Sequence, residues 1–157
     1  MIWDPGHITY FKFEADFIED NVRCIPMIVR FKLDGCGIKL KLAEWSRFTA
    51  EERNILVNKP CTHPDDITAY GEYLRMLVLH TTGMQAADLP VEELPAWADT
   101  DILPIMLLQK ANALGERVTI QQWANLTNLQ RFALVKLSRQ SHESKNLPKA
   151  LKEFGLL

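Results

Sequence analysis

The stretch "LAEWSRFTAEERNILV", residues 42–57, is repeated in outline by "IQQWANLTNLQRFALV", residues 120–135. In each copy a tryptophan, Trp45 or Trp123, precedes a threonine, Thr49 or Thr127, by four residues. Each threonine opens a Thr-x-x-Glu/Gln sequence, which is typical of a capping box because two side chains then bond the free N–H groups of a helix start. Apolar residues spaced by three place each tryptophan on one helical face. Each copy therefore predicts a short Trp-bearing helix followed by a capped helix.

The match extends outward without a gap, so that residues 25–57 align with residues 103–135 at an offset of 78, with eight of 33 positions identical. Random pairing at average composition would give about two. A proline stands where each apolar run starts, a position tolerated in the first turn of a helix. A glycine stands where each run stops, as in a left-handed cap. The identical pairs are Pro26/Pro104, Lys32/Lys110, Gly37/Gly115, Trp45/Trp123, Thr49/Thr127, Arg53/Arg131, Leu56/Leu134 and Val57/Val135.

These patterns predict an all-α fold in one compact domain, residues 1–157, built from two related multi-helix units. The units are an internal repeat covering about residues 25–82 and about 103–157, joined by an acidic loop at about 84–101. The alternative is chance convergence of two helical hairpins. Residues 62–80 and 146–157 each fit one further helix. The segment "ITYFKFEADFI", residues 8–18, fits either a strand or a turn of helix, so the conformation of residues 1–20 stays open.

Composition and charge are those of an ordinary globular protein, with 47% hydrophobic residues and a net charge of −2. Residues 62–102 carry one arginine against eight Asp and Glu side chains, whereas residues 103–157 carry eight Lys and Arg against three. Such asymmetry fits an interaction surface or two segments that lie against each other. The chain has no leader pattern and no apolar run of membrane length. We therefore expect a cytoplasmic protein without a membrane partner; its oligomeric state stays open.

The residues best suited to metal or redox chemistry are Cys24, Cys36, Cys61 and His63. They could ligate zinc or an iron–sulfur cluster. Their spacing contains no Cys-x-x-Cys, and the second unit has hydrophobic residues at the positions of Cys24 and Cys36. Structural cysteines are therefore favoured, and a metal- or redox-active protein remains the alternative. No catalytic motif is found, so we predict neither an enzyme nor a cofactor.

A helix-turn-helix is a second alternative, because residues 118–140 read as short helix, turn and basic-ended helix. Arg131, Lys136 and Arg139 would then contact DNA. Apolar residues crowd the second helix, however, and the chain is slightly acidic, whereas phosphate binding needs a concentrated positive face. We therefore predict no nucleic-acid partner. Arg53 and Arg131, the duplicated arginines, could form salt bridges within the fold or a pair of docking residues.

The run "FKFEADFIEDNVRCIPMIVRFKLDGCGIKLKLAEWSRFTAEER", residues 11–53, followed by "NKPC", residues 58–61, resembles the nitrate reductase associated protein family. The family consists of small proteins known mainly from cyanobacteria and some other bacteria. The resemblance covers residues 11–80 well and the remainder loosely. Its most distinctive pieces are "FxFE" at 11–14, "RCIPMxVRFKLD" at 23–34, "CGIKL" at 36–40, "WxxF" at 45–48 and "PC" at 60–61.

The resemblance implies a role in nitrate assimilation. The family is linked to the activity of assimilatory nitrate reductase, a molybdenum-cofactor and iron–sulfur enzyme, without an established catalytic activity of its own. It therefore implies a non-enzymatic accessory protein that matures or stabilises the reductase, with the reductase or its maturation machinery as partner. A docking surface needs only one of the two copies, which points to polar residues unique to the first. The candidate partner-binding residues are Arg23, Arg30, Asp34, Arg53 and Arg131.

Overall fold

The computed structural model describes residues 10–15, 24–139 and 145–157. The chain divides into two compact units, residues 1–92 and 93–157. In the first, a 3-10 helix (Lys12–Glu14) precedes α1 (Met27–Cys36), β1 (Ile38–Lys39), α2 (Leu42–Arg47), α3 (Ala50–Asn58), α4 (Pro64–Thr82) and β2 (Ala87–Asp88). In the second, a 3-10 helix (Ala96–Ala98) precedes α5 (Ile105–Ala113), α6 (Ile120–Asn125), α7 (Asn128–Arg139) and α8 (Asn146–Glu153). The chain is mostly helical, as predicted, apart from the short pairing of β1 with β2.

The predicted helix boundaries are confirmed where proline and glycine mark them. Pro26 is the N-cap of α1 and Pro104 is the N-cap of α5. Gly37 and Gly115 adopt left-handed conformations with φ of 74° and 78°, which only glycine adopts at low cost. The helices α1, α2 and α3 begin 78 residues before α5, α6 and α7 respectively.

Both predicted capping boxes are formed. The backbone N–H of Thr49 donates to Glu52 Oε1 at 2.8 Å, and the N–H of Glu52 donates to Thr49 Oγ1 at 3.1 Å. Thr127 and Gln130 repeat the exchange at 2.9 and 3.1 Å. The sequence reading missed a third box, at the start of α6, where Thr119 caps the helix with Gln122.

Each unit has a core of its own, in which a repeated tryptophan is fully buried. In the first unit, α1 packs on α4, and Tyr70 donates its hydroxyl to Leu56 O at 2.7 Å. In the second, α7 packs on α5 and α8. Trp45 and Trp123 are both inaccessible to solvent, which confirms their prediction as core residues.

The two short strands bring a length of chain tightly against Gly37. β1 and β2 pair antiparallel, with Ile38 opposite Asp88, and the N–H of Leu89 donates to Gly37 O at 2.9 Å. A Cβ atom at residue 37 would lie 3.0 Å from Val91 Cγ2 and 3.1 Å from Leu89 O. Glycine is therefore required here by space as well as by backbone conformation.

The segment 84–101, which the sequence predicts as an acidic connection, has structure of its own. It contains β2 and the second 3-10 helix, it crosses the boundary between the units, and its Trp97 is buried. Near the N-terminus, residues 12–14 form a helical turn, whereas most of residues 1–20 lie outside the described part of the chain. No helix in the described ranges combines the length and apolarity that crossing a membrane requires.

Candidate functional site

The "FxFE" motif closes the N-terminal end of α1. The rings of Phe11 and Phe13 stack with centroids 5.3 Å apart. Buried Glu14 accepts from the N–H of Phe11 at 3.1 Å with one carboxylate oxygen and from the N–H of Met27 at 3.0 Å with the other. A carboxylate at a helix N-terminus bonds a free N–H group and faces the positive end of the helix dipole. The motif is thus explained by folding of the first unit.

Two of the predicted partner-binding residues, Arg30 and Asp34, lie one turn apart on the same face of α1, both half-buried. Arg30 Nε donates to Ile25 O at 3.0 Å, which orients the guanidinium along the start of the helix. Arg23 lies outside the described residues. The structure therefore brings Arg30 and Asp34 together at the surface of the first unit.

Arg53 and Arg131 make parallel contacts with the ends of the two tryptophan-bearing helices. Arg53 donates to Trp45 O at 3.2 Å and to Ser46 O at 2.8 Å, partly in solvent, and its guanidinium lies 5.9 Å from the Trp45 ring. Arg131 is only 5% exposed, and burial lowers its pKa. Its guanidinium therefore stabilises the second unit and leaves little surface for a partner. Arg131 donates to Trp97 O, Trp123 O, Ala124 O, Leu126 O and Asn128 Oδ1.

The sequence reading missed a buried lysine at the centre of the family motif. Lys32 is 6% exposed, and its Nζ donates to Val57 O at 2.6 Å and to Lys59 O at 2.7 Å. These carbonyls end α3, where a cation is favourable. The Nζ also lies 5.6 Å from the centre of the Tyr70 ring. Two sequence signals pointed to this position: the identity of residues 32 and 110 in the repeat alignment, and its place within the family motif at 23–34.

The Cys61 thiol lies near Lys32, and the thiols of Cys61 and Cys36 are both held protonated. Burial raises the pKa of Cys36 to about 11. The pKa of Cys61 is raised to about 12, first by burial and second by the nearby Cys36 thiol. The Cys61 thiol donates to Lys32 O at 3.8 Å. A thiol without appreciable thiolate is a poor nucleophile and metal ligand. Within the described residues, no group of three or more His, Cys, Asp or Glu side chains is arranged to hold a metal, and His63 lies exposed at the start of α4.

The buried Cys61 thiol and the half-buried Cys36 thiol should both be slow to alkylate in the folded protein. With pKa values near 11 and 12 instead of 9.0, the thiolate fraction at neutral pH falls about a hundredfold for Cys36 and about a thousandfold for Cys61. Pulsed iodoacetamide labelling, read by mass spectrometry of peptides, should therefore modify both far faster in urea than in buffer. Labelling of Cys61 in buffer at the rate seen in urea would support the redox alternative instead.

The same buried groups should make the fold lose stability above about pH 9. Unfolded thiols ionise near 9.0, before the folded ones, so the stabilisation from Cys36 and Cys61 is complete below pH 9 and is lost as pH rises through 11 and 12. Burial lowers the pKa of Lys32 from 10.5 to about 8. Between these two pH values the folded lysine has lost its proton and the unfolded one has not, so Lys32 makes the fold more stable as pH rises. Burial also raises the pKa of Tyr70, which therefore acts in the same direction as the two thiols. Three groups lower the stability at alkaline pH and one lysine raises it, so we expect a net loss of stability.

Urea unfolding at about pH 8 and about pH 10.5 measures the alkaline loss. The free energy of unfolding should be lower at the higher pH, and the difference should shrink in a Cys36→Ala/Cys61→Ala variant. Equal or greater stability of the wild type at the higher pH would contradict the assignment of these thiols as protonated in the folded state.

The second helix of the possible helix-turn-helix belongs to the core of its unit. In α7, eight of twelve residues are buried, and past Leu129 only Arg139 is exposed. Lys136 Nζ lies 5.2 Å from the centre of the Phe132 ring, along the helix surface. A recognition helix must present several side chains to base edges. The geometry of α7 therefore disfavours the DNA-binding alternative.

Comparison with known proteins supports the resemblance and extends it beyond residues 11–80. The family model of the conserved nitrate reductase-associated protein matches residues 10–154, which cover both compact units. No curated protein and no solved structure matches the chain. The chain belongs to the conserved nitrate reductase-associated protein family.

Proposed function

We propose that this protein is a non-enzymatic accessory protein of assimilatory nitrate reductase, which assists maturation or stability of the enzyme by docking to it or to its maturation machinery. The observation that carries the proposal is the family match over residues 10–154. Its place of action would be the cytoplasm, and it would need no cofactor of its own.

The motif residues divide into those that the fold needs and those that face outward. Glu14, Lys32, Gly37, Trp45 and Cys61 are each explained by a buried contact or a required backbone conformation. Arg30 and Asp34 belong to the same motifs but are only half-buried. Side chains of both charges on one helix face can pair with charges of a partner and set its orientation. We therefore place the docking surface on the outer face of α1, with Arg30 and Asp34 as contact residues.

We also propose that the two units arose by duplication. The equal 78-residue spacing of three successive helix starts, the two left-handed glycines and the two capping boxes support this origin. After duplication, either copy could acquire a docking surface while both kept the residues that cap and pack their helices.

A double charge reversal tests the docking surface. Arg30→Glu/Asp34→Lys inverts both charges of the pair. Arg47→Glu/Glu51→Lys makes the same change at exposed positions on α2 and α3, and serves as the matched control. Each variant replaces the natural protein in nitrate-grown cells, after circular dichroism has confirmed that it folds.

The α1 reversal should abolish co-purification with the reductase or its maturation proteins and should lower nitrate reduction, while the control should leave both intact. If the folded α1 variant kept both the association and nitrate reduction, the docking surface would not be on α1. Equal loss in the control would show an effect of charge in general and not of this surface.

A further inference from the structure

The second unit carries an exposed apolar groove between its 3-10 helix and α5. The groove has a volume of about 130 Å³. Engineered cavities of about that size hold one benzene molecule, so the groove has room for one aliphatic side chain. We call it the 94–104 groove, lined by Leu94, Pro95, Ala96, Asp99, Ile102 and Pro104.

Large aliphatic side chains around this groove are left in solvent. Leu94 is 67% exposed, Ile102 is 65% exposed, and Ile105, in the first turn of α5, is 70% exposed. A single exposed aliphatic residue is ordinary, but several beside one concave surface are typical of an interaction site. A partner that covered these side chains would remove their apolar surface from water, and this burial would favour binding.

The groove is held in shape from within its unit. Trp97 O, next to the lining, accepts from Arg131 Nε at 2.7 Å. Asp99 O accepts from Trp123 Nε1 at 2.9 Å. The side chains that make these bonds are buried, so the groove backbone is fixed before any partner arrives. Such preorganisation reduces the ordering cost of binding.

The charged side chains that the groove segment itself contributes are all negative. Glu93, Asp99 and Asp101 lie within or next to the lining segment, and residues 84–104 contain no lysine, arginine or histidine. None of the three forms an ion pair with a lysine or arginine in the described part of the chain. Two positive charges oppose them: about half an elementary charge at the α5 N-terminus and the guanidinium of Arg131, which is buried behind Trp97 O. The three exposed or half-exposed carboxylates outnumber these two on the solvent side. The local field therefore favours a cation.

We propose that the 94–104 groove binds a basic segment of a protein partner, with one aliphatic side chain inserted in the groove and flanking lysines or arginines opposite Glu93, Asp99 and Asp101. This surface is additional to α1, and the proposal holds whichever protein supplies the segment. Aliphatic burial would provide most of the affinity, and the charges would orient the segment and speed its association.

Fluorescence anisotropy with a labelled probe peptide tests the proposal. The probe has one central leucine flanked on each side by lysines and alanines, and the matched probe has glutamates in place of the lysines. Leu94→Ser/Ile102→Ser removes the apolar wall, and Glu93→Gln/Asp101→Asn removes two charges. Met76→Ser/Met84→Ser makes a comparable change at exposed apolar residues of the first unit and is the control.

The lysine probe should bind saturably, and its affinity should fall between about 20 and about 200 mM NaCl. Loss of the apolar wall should weaken binding about tenfold, and loss of the two charges should weaken it and flatten the salt dependence. The control should bind like the wild type, and the glutamate probe should not bind. The proposal would be overturned if the wild type did not bind the lysine probe saturably, or if the Leu94→Ser/Ile102→Ser variant bound it equally well. Neither result would bear on association with the reductase.

Discussion

Gly37→Ala should lower the free energy of unfolding by about 3 kcal/mol, the sum of a left-handed backbone penalty of about 1–2 kcal/mol and an overpacking cost of similar size. The first cost follows from φ of 74° at this residue. The second follows from the contacts that the added Cβ would make, 3.0 Å from Val91 Cγ2 and 3.1 Å from the backbone oxygen of Leu89. The bond between Leu89 N–H and Gly37 O holds this part of the chain close to Gly37.

Gly83→Ala is the matched control, because Gly83 lies in the same unit with φ of 76° and has nothing within 4 Å of its Cβ position. It should cost only the backbone penalty of about 1–2 kcal/mol. Urea unfolding followed by tryptophan fluorescence measures both variants. Equal losses at the two glycines would show that residues 89–91 do not press on Gly37 as described.

Arg131→Met should lower the free energy of unfolding by about 3 kcal/mol, because it removes the donor of the buried Trp97 O and a donor of several part-buried oxygens. The most affected is Trp97 O, now bonded at 2.7 Å. Arg131→Lys should recover only part of the loss, because one ammonium cannot serve the positions that the planar guanidinium reaches. Urea unfolding gives the stabilities, and near-ultraviolet circular dichroism reports the packing of Trp97 and Trp123.

Arg53→Met is the control in the first unit. It should cost about 1 kcal/mol, because the carbonyls of Trp45 and Ser46 are partly open to water, which can replace the guanidinium. A loss at residue 53 as large as that at residue 131 would contradict the difference in burial between the two arginines.

Features fixed by neighbours in sequence were predictable from the sequence. The left-handed Gly37 and Gly115 and the capping boxes at Thr49 and Thr127 depend on contacts within about four residues, and all four are confirmed. The burial of the repeated tryptophans also followed from helical periodicity. These features account for the helical order of both units.

Contacts between distant residues could not be predicted in this way. Glu14 bonds Met27 across 13 positions, Lys32 bonds Val57 across 25, and Arg131 bonds Trp97 across 34. A buried lysine or arginine looks like a surface residue until the carbonyls that receive its protons are located. For the same reason, the acidic segment 84–101 looked like a plain connection, although its Trp97 is buried.

The candidate site was predictable only in part. The sequence selected Arg30 and Asp34 because they differ from their counterparts in the second unit, and the structure places them on one helix face. It also selected Arg131, whose guanidinium turned out to bond its own chain. The 94–104 groove was not foreseen, because its walls come from loop and helix residues whose exposure is set by the fold.

Affinity purification from nitrate-grown cells tests the proposed function most directly. The tagged natural protein and the Arg30→Glu/Asp34→Lys variant are compared by quantitative mass spectrometry of what each retains. Nitrate reductase, or a protein of its maturation, should be enriched with the natural protein and absent with the variant. Retention of no nitrate-assimilation protein, together with normal growth on nitrate when the gene is deleted, would contradict the account.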